Sequence, residues 1–291
     1  MIGIIGGSGL SNLVGVKHKW ITVDTPFGPP SDQVMLGEIN GINFAFLPRH
    51  GRGHVIPPSE INYLSNIYAL KKIGVTDILS IGAVGSLQEH LKPGMFVIVD
   101  QFIDRTYARK KSFFQTGCVA HVSTADPVCH RMGEHIAEAA SHLSIEAQSG
   151  GTYLVIEGPQ FSTKAESKLY RQWGCDVIGM TNMPEAKLAR EAEICYASLA
   201  MVTDFDCWHP EHDNVSVQQV IKTAHENAQK ASQLIGVVLS KLSTDQASRA
   251  CSCKTALQFA VMTHDDYRQK DVANALALLL ISDNAKEDLC N

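Results

Sequence analysis

Short β-branched or apolar runs alternate along this chain with stretches of helical spacing, and glycine, proline or asparagine punctuates the boundaries. Residues 2–5 form such a run and end in Gly6-Gly7-Ser8-Gly9, the pattern of a strand feeding a glycine turn. Residues 33–47 read as two hairpin strands turning at Asn40-Gly41. Ser59 is placed to cap a helix through residue 72, because Glu60, Tyr63, Ile67 and Leu70 fall near one face. Strands are predicted over 77–81 and 95–100, with Pro93-Gly94 turning the chain between them. Residues 104–130 show no period and predict a long irregular excursion, which compact domains tend to use for function or for an interface. Helices over 127–143, 163–173, from Pro184, and over 217–242 alternate with strands over 152–157, 177–181 and 196–202. The alternation predicts one doubly wound α/β domain over residues 1–245, a central mixed sheet flanked by helices. Residues 246–291 form a looser, partly helical C-terminal segment whose last helix is predicted over 269–281.

Composition narrows the partners. The chain has 291 residues, 45% hydrophobic and 19% charged, and a net charge of −5, so no general positive field draws it to nucleic acid or an anionic membrane. An anionic ligand would need a local basic pocket. The opening residues lack a basic leader, and no run approaches the ~20 apolar residues of a membrane span, so a cytoplasmic location is expected. The eight cysteines include no Cys-x-x-Cys pair; Cys251-Ser-Cys253 is the one close pair, read as reduced thiols.

Three strand ends carry candidate chemistry. The run 196–202 opens into Thr203-Asp204-Phe205-Asp206-Cys207-Trp208, and acids beyond the carboxyl end of a strand in an open α/β sheet are placed to meet a ligand. A loop whose acids cap the next helix accounts for the same residues. The second hairpin strand runs into Pro48-Arg49-His50-Gly51-Arg52-Gly53-His54, where Arg49 offers a fork suited to phosphate; a solvated basic loop fits equally. The third end, Gly82-Ala83-Val84-Gly85-Ser86, has bare amides suited to an oxyanion. His209-Pro210-Glu211-His212 is expected to be solvated surface, because the proline breaks helical presentation of the pair.

Together, Ile4-Ile5-Gly6-Gly7-Ser8-Gly9-Leu10, Pro48-Arg49-His50-Gly51, Glu157-Gly158-Pro159-Gln160-Phe161, Gly179-Met180-Thr181 and the Asp204 stretch resemble the methylthioadenosine phosphorylases, members of the purine nucleoside phosphorylase superfamily. The resemblance covers residues 1–262 in consistent order, including Pro26-Phe27-Gly28 and Asp100-Gln101-Phe102. It implies cleavage of a purine–ribose bond by inorganic phosphate, a co-substrate, with no metal and no organic cofactor. The phosphate cradle it implies comprises Ser8, Arg49, His50, Gly82, Ala83 and Thr181, with Gly82 standing where many relatives carry a hydroxyl residue. Met180 matches the residue packed on the ribose and Phe161 one against the base, with Ser162 beside it in the specificity set. Asp204 matches the donor to purine N7, and Asp206 an acceptor from a 6-amino group. Val217, Val220 and Met262 match positions around the methylthio group. His54, and His121 from a neighbouring subunit, approach the same end of the substrate. A homotrimer, or a dimer of trimers, is implied with them.

Two readings compete on the same fold. A phosphorylase for 6-oxopurine nucleosides or methylthioinosine would carry an amide where Asp204 or Asp206 stands, and a water-using nucleosidase would have little use for Arg49. A catalytically weak nucleoside-binding protein is the alternative from another class.

Overall fold

The computed structural model describes residues 1–7, 17–209, 217–245 and 249–280; for 217–220 only the backbone is described. Eleven strands form one mixed sheet: β1 (Ile2–Gly6), β2 (His18–Ile21), β3 (Val34–Ile39), β4 (Ile42–Pro48), β5 (Asp77–Ser86), β6 (Phe96–Val99), β7 (Gln101–Asp104), β8 (Ala147–Ser149), β9 (Thr152–Val155), β10 (Val177–Gly179) and β11 (Cys195–Asp204). Among the described residues six α-helices flank it: α1 (Tyr63–Lys72), α2 (His130–His142), α3 (Lys164–Gln172), α4 (Asn182–Glu191), α5 (Val217–Asp245) and α6 (Lys270–Leu276).

The two longest strands organise the molecule. β11 lies parallel to β5 from Cys195↔Asp77 to Asp204↔Gly85, with an irregularity between Val202 and Asp204. β11 is buried from residue 195 to 203 and β5 from 77 to 81, as strands covered on both faces must be, which explains their apolar runs. The other edge of β5 is divided. β1 pairs in parallel up to Ile5↔Ser80, and β10 pairs antiparallel only at Gly85 and Ser86. Between them residues 81–84 have no strand partner on that edge, so the sheet forks there.

Two apolar layers cover the faces. One gathers Ile67 and Leu70 of α1, Leu188 of α4, and Leu257, Leu276 and Leu279 of the C-terminal segment. The other gathers Met132 and Ile136 of α2 with Leu234, Ile235 and Val238 of α5. The C-terminal segment is therefore packed into both layers, since Cys253 belongs to the second.

Several sequence expectations are corrected. Ser59 does not cap α1: the cap is Asn62, whose side chain accepts from Ser65 N at 3.1 Å, while Ser59 Oγ bonds Glu157. The predicted helix at 163 does begin on a reciprocal cap, with Thr163 and Glu166 each holding the other's backbone N–H. Strand 77–81 continues to Ser86, the strand expected over 95–100 is β6, and β7 follows it without having been expected. β2 and β8 were not expected; His18-Lys19-Trp20 and Ala147-Gln148-Ser149 lack an apolar run because they pair at exposed positions. His209 is not solvated surface either: its ring packs 4.7 Å from that of Phe205 and its Nε2 lies 3.0 Å from Glu89. Residues 210–212 lie outside the described residues. Among the described residues no helix is long and apolar enough to cross a membrane.

Candidate active site

The fork in the sheet opens a cavity of about 450 Å³ lined by residues from the ends of β1, β4, β5, β9, β10 and β11 and from α5. β1, β4, β5 and β11 run parallel there, and β10, entering antiparallel, delivers Gly179, Met180 and Thr181 into the gap. This is the carboxyl-end crevice that the strand pattern anticipates. Of the residues nominated from the sequence it brings together Arg49, His50, His54, Gly82, Ala83, Phe161, Ser162, Met180, Thr181, Asp204 and Asp206. Ser8 lies outside the described residues, and so do the side chains of Val217 and Val220, although Ile221, Ala224 and Ala228 of the same helix line the wall. His121 and Met262 do not line it. They meet elsewhere, where His121 N donates to Ala260 O and Met262 N donates to Val119 O, both at 2.8 Å.

One wall is built to receive hydrogen-bond acceptors. Arg49 is 1% exposed and engages Glu185 in a bidentate pair, Nε to Oε2 at 2.8 Å and Nη2 to Oε1 at 3.0 Å. Nη2 also donates to Ser80 Oγ at 2.7 Å and Nη1 to Ile81 O at 3.1 Å. Of the five N–H groups of a guanidinium, this leaves one on Nη1. That nitrogen would lie 3.9 Å from a Cβ on Gly82, as would Thr181 Oγ1, so a side chain at residue 82 would enter the space the fork leaves open. Thr181 stands just before α4 and its hydroxyl makes no capping bond; Met183 is non-helical at φ −115° and ψ 129°, so the regular helix begins only at Pro184. His50 Nδ1 lies 2.9 Å from Ile56 O; a carbonyl only accepts, so Nδ1 carries the proton and a neutral ring leaves Nε2 as an acceptor. Burial pushes His50 down to about 4, outweighing that bond, so the ring is neutral at pH 7.

The opposite wall carries the two acids. Asp204 Oδ1 accepts from Asp206 N at 2.8 Å, and Asp206 has a positive φ of 50°. Asp204 Oδ2 lies 2.7 Å from Thr203 Oγ1, which is also 3.1 Å from Val84 O. The hydroxyl has one hydrogen. If it serves Val84 O, the 2.7 Å contact needs its hydrogen from Asp204, so the geometry accommodates a protonated carboxyl. Burial raises the Asp204 carboxyl above its ordinary value despite the bonds from Thr203 and Asp206 N, and raises Asp206 to about 6. Ser162 Oγ is buried on this side with no partner, an available hydroxyl. Phe161, 60% exposed, stands at the rim.

Residues that sequence reasoning passed over hold these walls. Arg109, from the irregular stretch 104–130, donates Nη1 to Met180 O at 2.6 Å and to Met183 O at 2.7 Å, and pairs through Nε with Glu157 at 3.1 Å. Burial would raise Glu157, but hydrogen bonds from Ser59, Tyr107 N, Ala108 N and Arg109 outweigh it and hold the carboxyl down at about 2. The backbone before Met180 is tight: Gly158 has φ +69°, and a Cβ there would lie 2.5 Å from Met180 Sδ. Glu185 gave no signal of its own, being one acid in a helix. The aperiodicity of 104–130 was a signal, but it does not single out Arg109.

The chain matches the family model described as the phosphorylase superfamily over residues 1–240. It is 56% identical over 278 residues to the S-methyl-5'-thioadenosine phosphorylase of Rhodospirillum rubrum, covering 95% of each chain. The chain belongs to the methylthioadenosine phosphorylase family. A solved methylthioadenosine phosphorylase from an antarctic soil metagenomic library superposes with a TM-score of 0.91 at 48% identity, over 96% of this chain and 98% of that one. The methylthioadenosine phosphorylase of Schistosoma mansoni, solved with adenine, gives a TM-score of 0.84 at 36% identity, over 89% of this chain and 98% of that one. The mixed sheet flanked by helices is thus the nucleoside phosphorylase fold.

Proposed function

We propose that this chain catalyses the reversible phosphorolysis of S-methyl-5'-thioadenosine to adenine and 5-methylthioribose 1-phosphate. The observation that carries the proposal is the pair of buried acids facing, across one cavity, a wall of Arg49, His50, Gly82, Ala83 and Thr181. Departure of a purine leaves negative charge on the ring while the ribose becomes cationic, so a proton donor at one end and an anion at the other stabilise the transition state from opposite sides. Asp204, raised by burial, supplies the proton to N7. Asp206, ionised above about pH 6, accepts from the 6-amino group, a contact a 6-oxo group cannot return. Phosphate is the nucleophile and receives the Arg49 Nη1 hydrogen, backbone amides at 82 and 83, and the Thr181 hydroxyl; a protonated phosphate oxygen suits His50 Nε2. Met180 and Phe161 flank ribose and base, and Ile221 and Ala224 extend the apolar wall expected at Val217 and Val220 toward the methylthio end.

Adenine release from methylthioadenosine should require phosphate and should exceed release of hypoxanthine from methylthioinosine. Equal release in phosphate-free buffer would identify a nucleosidase instead, and preference for methylthioinosine would favour the 6-oxopurine reading. Binding without product would leave only a nucleoside-binding protein.

The assembly that completes the site is a homotrimer, in a cytoplasmic enzyme. Its support is the surface where an isolated bridge, Ala120↔Val261, joins the irregular stretch to the C-terminal segment. Val119, Phe259 and Met262 are 40%, 84% and 63% exposed there, and His121 sits among them away from this chain's own cavity. Such a patch fits a surface that another copy covers, delivering His121 to its neighbour. Sedimentation equilibrium should give three chains per particle, and His121→Ala should raise KM for methylthioadenosine without changing that mass; a fully active monomer would sink the assignment.

A further inference from the structure

Four cysteines scattered through the sequence meet at one point, at the far end of β11 from the acids. Cys129 precedes the first turn of α2, Cys195 opens β11, and Cys251 and Cys253 lie in the segment after α5. Their sulfur atoms all lie within 4.8 Å of one another, with Cys195 Sγ 3.4 Å from Cys251 Sγ. Three of the four residues are buried, and Cys251 is partly so.

We propose that Cys129, Cys195, Cys251 and Cys253 bind one zinc ion as a tetrathiolate site that fastens the C-terminal segment to the core. Zinc–thiolate bonds of about 2.3 Å in a tetrahedron place the sulfurs about 3.8 Å apart, which a cluster this tight reaches with small side-chain adjustments. Four soft sulfur donors and no oxygen or imidazole select a thiophilic cation over magnesium or calcium. Each thiol that ligates gives up its proton, so the bound site carries a formal charge of −2, and four protons leave to solvent.

The surroundings are matched to that charge. Arg190 Nη1 lies 3.4 Å from Cys253 Sγ and Arg249 Nη2 lies 3.5 Å from Cys195 Sγ. The Nε–H groups of Arg249 and Arg131 are buried without a hydrogen-bond acceptor. Orphaned arginine donors beside neutral thiols are costly; beside metal-bound thiolates they become the N–H···S donors that support such a centre. Cys129 N also donates to Tyr196 O at 2.8 Å, so the first turn of α2 and the start of β11 are already tied where the site needs them. The metal would stand roughly 30 Å along β11 from Asp204, one end of a ten-residue strand to the other, and takes no part in the reaction proposed above. Its role is to fix residues 251–253 and, through them, the segment that continues to Leu257 and the Ala120↔Val261 bridge.

The test is metal content. The full chain, purified in reducing buffer and separated from free metal by gel filtration, should carry about one zinc per chain by mass spectrometry of the elements. Its zinc should be released to a chromophoric chelator only as a mercurial titrates the thiols. Cobalt(II) exchanged into the site should show the intense thiolate-to-metal charge-transfer bands of a tetrahedral sulfur environment. Cys251→Ser with Cys253→Ser should carry no zinc and melt at lower temperature, whereas Asp204→Asn should keep its zinc in full. Should the double variant fail to fold, the wild-type chain still decides the matter. A folded, metal-free chain whose eight cysteines are all free, or whose peptide map shows a disulfide among these four, overturns the proposal, as does iron in place of zinc.

Discussion

Asp204→Asn should lower kcat/KM for methylthioadenosine by roughly 10²- to 10⁴-fold, the range for loss of a positioned general acid. An amide at residue 204 can accept from Asp206 N, so the turn is kept while the transferable proton is lost. Asp206→Asn tests the base reader separately. With both changed, the amides can donate to a 6-oxo group and accept from its N7–H, so the preference for methylthioadenosine over methylthioinosine should fall by about five- to hundredfold. The ratio of kcat/KM for the two substrates measures this, and a folded double variant with an unmoved ratio would mean that these carboxylates do not read the base. The pH profile offers an independent check. Because burial raises Asp206 to about 6, activity that needs its charge should decline as pH falls below about 6, and that limb should vanish in Asp206→Asn. The sign for stability is the reverse of a salt-bridged acid. A carboxyl raised from 3.8 to about 6 favours the folded state fully below pH 3.8 and loses that contribution as pH rises through 6. At pH 7 Asp206→Asn should therefore stabilise the ligand-free chain, by up to 2–3 kcal/mol on the order-of-magnitude scale of such shifts. A destabilised Asp206→Asn chain would contradict the burial argument.

Arg49→Ala should destabilise the chain by about 3–5 kcal/mol, because it leaves Glu185 charged and buried without its partner. Read as a sequence, Arg49 is a phosphate ligand whose loss weakens phosphate affinity far more than nucleoside binding. The bidentate pair makes it a structural element as well, so a simple alanine variant confounds the two roles. Replacing the pair by an apolar one, Arg49→Met with Glu185→Leu, should recover much of the stability, since a buried ion pair exchanged for well-packed apolar side chains is often neutral or better. Phosphate KM should stay raised in that double variant while nucleoside KM changes little. Recovery of both would show Arg49 to be scaffold only. Thermal or denaturant unfolding and initial-rate kinetics with each substrate varied separate the outcomes.

The local chemistry of the site was legible residue by residue. A strand that stops at Thr203-Asp204-Phe205-Asp206, a basic loop after the second hairpin strand, and small residues at 82–86 each declare a strand end, because strand period and turn residues are short-range properties. The α/β class and most helices followed from the same short-range signals. Exposed β2 and β8 escaped them because pairing to a neighbour, and no apolar run of their own, makes them strands. The cap of α1 escaped because two candidate residues, Ser59 and Asn62, stand within one turn, and Ser59 is drawn away by Glu157, distant in sequence.

What only the tertiary structure decided is whatever depends on two distant residues meeting. The forked edge of β5 arises because β1 ends where β10 has yet to begin, and it alone turns residues 81–84 toward a cavity. Arg49 finds Glu185 across 136 positions, and Arg109 finds Met180 across 71, so neither the neutralised guanidinium nor the braced Met180 carbonyl has a local signature. Burial decides the charge of Asp204 and Asp206, and burial is a property of the layers packed over β11. The same holds for Cys129, Cys195, Cys251 and Cys253: read along the chain they are isolated thiols and one Cys-x-Cys, and only the parallel register of β11, the start of α2 and the return of the C-terminal segment bring four sulfurs to one point.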